Sequence, residues 1–237
     1  MLDQILAGIV SIYNYRIVAQ YVDEFMRGGA NTIMAAAASL ALSIALGFLV
    51  ALTRLYGSRI LTAAMWNYTQ IIRSTPLLIQ IYIVYFGLPL LIPPAGKWPE
   101  IVLGIIALTI HTTPYMAEII RSGIVSVPRG QREGAIALGL SPAQQYRLVI
   151  LPQAFAKTLP PLLGQAAILV KDTSLLSLIT VFDILSAGML LNSERIKPNE
   201  GFLSVAIIYL LIYLVLLVLS RAAQRRLAGG VAGGRAA

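Results

Sequence analysis

The feature that most constrains this chain is a series of apolar stretches, each long enough to cross a lipid bilayer as a helix. A helix needs about 20 mostly apolar residues to span the hydrocarbon core. Five such stretches are predicted, at about residues 29–53, 60–92, 101–125, 158–179 and 201–220. Because 58% of the 237 residues are hydrophobic and only 12% are charged, a soluble globular domain is excluded. The sequence therefore predicts an all-α integral membrane protein with five transmembrane helices.

The basic residues predict how these helices are oriented, because cytoplasmic flanks of membrane helices are enriched in Lys and Arg. With the N-terminus outside, the inner flanks hold eleven basic residues: Arg54, Arg59, Arg121, Arg129, Arg132, Arg147, Lys157, Arg221, Arg225, Arg226 and Arg235. The outer flanks hold five: Arg16, Arg27, Lys97, Arg195 and Lys197. This asymmetry predicts an external N-terminus, a cytoplasmic C-terminus and a long cytoplasmic loop over residues 126–157.

The two ends of the chain are expected to lie outside the membrane domain of residues 28–226. Residues 1–27 mix apolar and charged positions, which predicts an amphipathic segment lying at the outer surface. A cleaved signal peptide is not predicted, since Asp3 stands where a cationic start is expected. Residues 227–237 are rich in Gly and Ala and are expected to form a disordered cytoplasmic tail. The outer pieces 93–99 and 192–200 are expected to be turns.

Several functional classes are excluded by what the sequence lacks. The chain has no cysteine and a single histidine, His111, so a metal site built from thiolates or several histidines is excluded. It contains no Gly-x-x-x-x-Gly-Lys-Ser/Thr phosphate-binding loop and no serine nucleophile elbow. Its net charge of +8 is scattered between apolar runs, which does not favour nucleic-acid binding. We therefore expect no catalytic residue, no metal and no cofactor in this chain.

The cytoplasmic loop carries signals for two short helices that meet at a bend. Pro128 is suited to the start of a helix, and Gly139 to its end. Ser141-Pro142 then provides an N-cap and a first-turn proline for the second helix. The apolar residues of the loop are expected to be available to a partner's groove. They are Ile136, Leu138, Tyr146 and Leu148.

The loop resembles the EAA loop of ATP-binding cassette (ABC) importer permeases. That pattern is Glu-Ala-Ala, three residues, Gly, nine residues, Ile, one residue and Leu-Pro. The matching positions are Glu133-Gly134-Ala135, Gly139, Val149 and Leu151-Pro152, with Gly134 in place of Ala and Val149 in place of Ile. Because the family's loop docks into a cleft of an ATPase subunit, the resemblance implies an ATPase-coupling set. Its members are Arg132, Glu133, Gly134, Ala135, Gly139, Leu151 and Pro152.

A wider resemblance, to the polar amino acid uptake permeases, covers most of the chain from about Tyr21 onward. It is carried by Asn31-Thr32 and by residues 73–80, 115–123 and 171–177. That group includes histidine, glutamine, arginine and opine systems. The resemblance implies the type I importer permease fold in a bacterial cytoplasmic membrane. Its implied partners are two copies of an ATP-binding subunit that holds ATP and Mg²⁺, a second permease that is identical or paralogous, a periplasmic solute-binding protein and membrane lipid.

Polar residues within the predicted spans are candidates for the substrate pathway, because charge at the bilayer centre normally faces a cavity or a partner. Arg73 and Asp172 complement the carboxylate and ammonium of an amino acid. Alternatively, they pair with each other, with Lys171 or across a dimer interface. Glu118 is also placed to pair with Arg121, and His111 acts either as a hydrogen bonder between helices or as a proton relay. The candidate pathway set is Arg73, Thr75, His111, Glu118, Asp172, Thr173 and Ser174.

Two other functions are consistent with the same residues. An ion-coupled secondary transporter of small polar solutes is suggested by Asp172 and His111, but five spans offer no internal repeat of the kind such carriers show. A membrane scaffold without transport activity would need no buried charge. The identity of the cargo and that of the second permease are left open at this point.

Overall fold

The computed structural model describes residues 13–233, without the side chains of residue 223 and residues 225–233, and the regular elements of this part are all helical. The α-helices are α1 Tyr15–Val18, α2 Val22–Tyr56, α3 Arg59–Arg73, α4 Leu77–Tyr82, α5 Leu88–Leu91, α6 Glu100–Val125, α7 Arg129–Ala137, α8 Pro142–Gln144, α9 Leu151–Asp172, α10 Ile184–Arg195 and α11 Pro198–Gly233. Short 3₁₀ helices occupy Ala19–Tyr21, Pro93–Lys97 and Thr173–Ile179. Two π-helical segments, Ile83–Gly87 and Gln145–Ile150, join neighbouring α-helices.

Within residues 13–233, four helical runs are long and apolar enough to cross a membrane: Tyr15–Tyr56, Glu100–Val125, Pro142–Ile179 and Pro198–Ala222. The pair Arg59–Arg73 and Leu77–Leu91 supplies a fifth if it counts as one span. This agrees with the predicted all-α, five-helix membrane fold.

The predicted span over residues 60–92 is not one straight helix. The helix axis changes direction by 110° between Arg73 and Leu77. Pro76 explains the break, because proline has no N–H to donate and disfavours helical backbone at the residue before it. Arg73 is thus the last residue of α3 and does not lie in the middle of a continuous helix.

The apolar run placed the start of the fourth span at about Thr158, but the helix begins well before that residue. Its helical run starts at Pro142, so the second helix predicted within residues 126–157 continues directly into the membrane-spanning part. Hydropathy alone cannot locate this start, because the polar first turns of a long helix look like a loop. A similar difference is seen at residues 192–195, which were expected in a turn and form the end of α10.

The two ends of the chain also differ from the expected segments. Residues 1–12 lie outside the described part, so most of the predicted surface segment is not covered. Its remainder, from Tyr15, leads through α1 and a 3₁₀ turn straight into α2. At the other end α11 extends to Gly233, into the segment expected to be disordered, and residues 234–237 lie outside the described part.

The described chain divides into two compact units. The first takes in residues up to Ser39 together with Leu77–Leu108 and Ile168–Leu214. The second takes in Leu40–Pro76, Thr109–Ala167 and the residues from Val215 onward. The core of the first unit is built from the 3₁₀ helix before α2 and from α2, α10 and α11. Its residues are Tyr21, Phe25, Ile184, Ala187, Leu191 and Val205. The core of the second joins α2, α6 and the start of the fourth span, through Ala51, Ile120, Ile124, Ile150 and Ala154.

Candidate functional site

The segment that resembles an ATPase-docking loop is a capped helix followed by a tight turn. Pro128 is the N-cap of α7, and Gly139 follows its end with a positive φ of 71°. The Gly139 N–H donates to Ile136 O (2.9 Å) and the Leu140 N–H to Ala135 O (3.1 Å), which is the Schellman arrangement. The predicted end of the helix at Gly139 is confirmed.

The second helix also begins where the sequence predicted. Ser141 is its N-cap and Pro142 its first residue. The Ser141 hydroxyl accepts from the Gln144 N–H (3.4 Å), and the Gln144 side chain accepts from the Ser141 N–H (2.9 Å), so the pair forms a capping box. The Schellman turn at Gly139 and the capping box at Ser141 are separated only by Leu140. Together they hold the backbone of the bend rigid.

Replacing Gly139 by Ala is expected to lower the free energy of unfolding by about 1 kcal/mol, because an L-residue with a side chain is strained at positive φ. An added Cβ would meet nothing within 4 Å, so backbone strain is the whole effect. Gly134→Ala is the matched control, since Gly134 lies inside α7 with equally open space and Ala is the better helix former. The thermal stability of the purified protein measures both. Equal melting temperatures for the two variants would contradict the Schellman assignment.

The two faces of α7 differ sharply in exposure. Ala135 is 3% exposed and packs inward, while Glu133 and Gly134 face outward. Leu138 is 80% exposed and Ile136 57%, and both are large apolar side chains. Leu148, Leu151 and Pro152 are exposed as well. Exposed apolar side chains are typical of a protein interaction site where they form one patch.

Tyr146 does not join this outward surface, contrary to the prediction that it enters a partner's groove. It is half-buried, and its ring meets that of Tyr56 edge to face at 5.8 Å. The two hydroxyls are hydrogen-bonded to each other, and the Arg132 guanidinium donates to the Tyr146 hydroxyl. Tyr146 therefore connects residues 129–152, the proposed docking segment, to the end of α2. Tyr56 is 90 positions away in sequence, and no local pattern indicated its role.

Two further hydrogen bonds brace the base of the segment. The Gln153 side-chain amide donates to the Gln131 Oε1 (3.0 Å), and Lys157 Nζ donates to Ser126 O (2.7 Å). A cavity of about 320 Å³ lies between the end of α2, the end of α6 and the first turn of α7, and Tyr56, Arg129 and Arg132 are among its lining residues. The segment is thus held at defined points over an open space.

Two of the predicted pathway residues, Arg73 and His111, meet around Tyr115 in the second unit. The Arg73 guanidinium lies 5.4 Å from the centre of the Tyr115 ring, a cation–π distance. The rings of His111 and Tyr115 are 5.4 Å apart, as expected for positions four apart on α6. Thr75, just beyond Arg73, donates its hydroxyl to Ile71 O at 3.0 Å. Tyr115 was not among the predicted residues, although its spacing from His111 is a signal that could have found it.

Glu118 is occupied by arginines on two helices. Its carboxylate accepts from Arg121 (2.5 Å), as its spacing predicted, and from Arg54 at the end of α2 (2.7 Å), which the sequence did not indicate. Both ion pairs recorded among the described residues therefore involve Glu118. This geometry links α2 to α6 and favours a structural role for Glu118 over contact with cargo.

The remaining predicted pathway residues, Asp172, Thr173 and Ser174, belong to the first unit. They stand where α9 ends and the 3₁₀ helix begins. Asp172 is half-buried, whereas Lys171 is exposed and lies 5.9 Å from the Tyr213 ring. The Thr173 and Ser174 hydroxyls donate to carbonyls three residues earlier, at 2.7 and 2.8 Å. Asp172 is therefore the charged and half-buried member of this group.

Comparison with known proteins places this architecture in a family. A family described as "Binding-protein-dependent transport system inner membrane component" matches residues 43–231. The glutamine transport system permease protein GlnP of Escherichia coli (strain K12) is 33% identical over 215 residues, covering 91% of this chain and 98% of that protein. The nopaline transport system permease protein NocM of Agrobacterium fabrum is 32% identical over 207 residues, covering 84% and 86%.

Solved structures agree with the sequence relatives. The structure titled "Crystal structure of an amino acid ABC transporter with histidines" superposes with a TM-score of 0.80 at 30% identity, covering 88% of this chain and 96% of that one. An inward-facing MetNI methionine ABC transporter shares the fold with a TM-score of 0.67 at 19% identity, covering 87% and 95%. This chain belongs to the family of binding-protein-dependent transport system inner membrane components, in which it is the permease subunit of an ABC importer and not the enzyme.

Proposed function

We propose that this chain, with a second permease subunit, forms the pathway by which a polar amino acid or an amino-acid-like compound enters a bacterium across its cytoplasmic membrane. ATP and Mg²⁺ are bound by two copies of a partner ATPase, and a solute-binding protein delivers the cargo from outside. The observation that carries the proposal is the outward face of α7 and its C-cap, where Glu133, Ile136 and Leu138 are exposed while Ala135 packs inward.

The docking part of the proposal rests on how α7 is held. Rigid presentation lowers the entropy lost on binding, and the Schellman turn and the capping box restrict the bend on both sides of Leu140. The exposed side chains of Ile136 and Leu138 supply apolar area for a partner groove. Glu133 adds a charge that selects a complementary partner.

The choice of cargo rests on charge and on the relatives. An amino acid carries a carboxylate, and within the second unit the Arg73 guanidinium supplies the complementary charge. The relatives are named for glutamine and nopaline transport, two solutes that contain an amino acid group. Two copies of the chain, or this chain and a paralogue, would present two docking segments to two ATPase subunits.

Coupling then follows from the contacts of Tyr146. When ATP closes the ATPase dimer, each docking segment moves with its partner. Its movement passes to the end of α2 through the contacts of Tyr146 with Tyr56 and Arg132. The cavity beneath the first turn of α7 leaves space for that displacement. The result is a shift between inward- and outward-facing populations driven by differential contacts at the loop.

Uptake by the complete importer in sealed vesicles tests the proposal. The permeases, ATPase and binding protein are reconstituted together, and accumulation of radiolabelled glutamine, arginine and histidine is followed with ATP enclosed on the ATPase side. Uptake of at least one of them is expected only with hydrolysable ATP and binding protein, and it should persist when ionophores collapse the ion gradients.

Omission of the ATPase is the control. Uptake by the permease alone, driven by a proton or sodium gradient, would overturn the ABC importer assignment in favour of an ion-coupled carrier. Uptake of none of the polar amino acids, with ATP hydrolysis still stimulated by the binding protein, would overturn the cargo class alone.

A further inference from the structure

A basin of positive charge lies in the second unit, next to the end of α2. It is a cavity of about 530 Å³ at the end of α2, the start of α3 and the adjoining turn of α6. Three arginines line it: Arg54, Arg59 and Arg121. Its other lining residues are Gly57, Thr62, Ala63 and Trp66, which carry no charge. None of these residues belongs to the predicted coupling set or pathway set.

The basin has an excess of positive charge. Glu118 is the carboxylate paired with Arg54 and Arg121, so three positive charges and one negative charge leave a net charge of +2. Arg54 is largely buried, with a side-chain exposure of 12%, while the side chain of Arg121 is 30% exposed and Arg59 is exposed. Guanidinium groups present planar forks of donors that match the oxygens of a phosphate. The basin therefore favours an anion with several oxygen acceptors.

The surroundings of the basin are those of a membrane interface. Arg59, Thr62, Ala63 and Trp66 recur at three- and four-residue spacing and so share one face of α3. Trp66 is 50% exposed, and indole rings collect at the level of the lipid headgroups. Ile60 and Leu61, next to Arg59, are 81% and 53% exposed. Arginines beside exposed apolar side chains match a molecule that joins an anionic head to an apolar tail.

We propose that this basin binds the phosphate of an anionic phospholipid headgroup. Arg59 makes the outer contact, while Arg54 and Arg121 are held in place by Glu118 and set the potential inside the basin. The expected orientation puts the basin at the cytoplasmic surface, where basic pockets between membrane helices bind anionic headgroups. Neither the identity of the cargo nor the docking of α7 enters this inference.

Native mass spectrometry of the complete importer, purified with its partner subunits, tests this. The complex is exchanged into mixed phosphatidylglycerol and phosphatidylcholine, and the lipids retained per permease are counted. Retention of phosphatidylglycerol over phosphatidylcholine is expected, with about fivefold weaker retention in Arg59→Gln, the effect of one arginine at a lipid surface. The control is Lys97→Gln, which removes one charge from the 3₁₀ segment Pro93–Lys97 in the other unit and should retain as much lipid as the unaltered importer.

Further measurements distinguish a lipid headgroup from a soluble anion as the occupant of the basin. Inorganic phosphate at the same concentration as short-chain phosphatidylglycerol should fail to displace the bound lipid. Displacement by phosphate would overturn the lipid assignment in favour of a soluble anion. Equal retention in Arg59→Gln and the unaltered importer, with both eluting as intact complexes, would overturn the site itself. Retention of neither lipid, as expected if a partner subunit fills the basin, would overturn it as well.

Discussion

Replacing Glu133 by Lys is expected to abolish co-purification of the ATPase subunit, weakening the association more than about a hundredfold. Glu133 faces outward from α7, so the substitution leaves the internal contacts of the chain intact. Leaving one member of a desolvated interfacial charge pair without its partner costs about 2–5 kcal/mol, and reversal of the charge adds repulsion. The amount of ATPase retained by the tagged permease at matched expression measures the loss.

Asp23→Lys is the matched control for this experiment. It makes the same change of charge at an exposed residue in the first turn of α2. That turn belongs to the first unit, whereas Glu133 belongs to the second. That variant should keep its ATPase. Both variants should elute as monodisperse protein of unchanged size. Full retention of the ATPase by a folded Glu133→Lys permease would show that α7 is not the docking element.

Replacing Gly47 by Leu is expected to prevent α2 from packing on α6. A Cβ at Gly47 would lie 2.6 Å from Met116 Cβ and 2.9 Å from the backbone nitrogen of Ala117. The opposing atoms include backbone, and Met116 and Ala117 are fully buried, so neither can move aside cheaply. Overpacking a tight contact costs about 1–3 kcal/mol for modest changes, and a leucine here exceeds them. We expect loss of monodisperse protein, or a melting temperature lowered by about 10 °C or more.

Gly29→Leu separates this clash from the general effect of a larger side chain in a membrane helix. Gly29 lies in the same helix, and a Cβ there would meet nothing within 4 Å. Its melting temperature should stay close to that of the unaltered protein. If the two leucine variants melt alike, the backbones of α2 and α6 do not depend on Gly47 for their close approach. The ion pair between Arg54 and Glu118 also joins the two helices, and neither leucine variant removes it.

In the docking segment, the local backbone chemistry of a few residues was enough to predict the bend. Gly139, Ser141 and Pro142 act through their own backbone and that of residues within one helical turn, so sequence spacing alone predicted the bend. Tyr146 was wrongly predicted to face a partner. Its apolar ring and its place in the motif are compatible with either environment. The choice is made by Tyr56, at the end of a different helix.

The same distinction applies to the membrane part. The apolar stretches were visible in the sequence because insertion into a bilayer depends on hydrophobicity summed over about 20 residues. The sequence did not show whether each stretch forms a straight helix or where that helix begins. The helix axis turns by 110° after Arg73, and the fourth helical run already starts at Pro142. Hydrophobicity sums do not report axis direction, nor do they mark where a helix with polar first turns begins.

The sequence by itself determined that this protein spans a membrane, and it predicted both an ATP-binding partner and the short segment that meets it. These properties depend on composition and on spacings of a few residues, which survive without knowledge of the fold. The tertiary structure decided which partners the charged side chains have. Arg54 pairs with Glu118 on another helix, and Arg73 lies over the ring of Tyr115. Such contacts join segments tens of residues apart, so they depend on the packing of whole helices rather than on any local pattern.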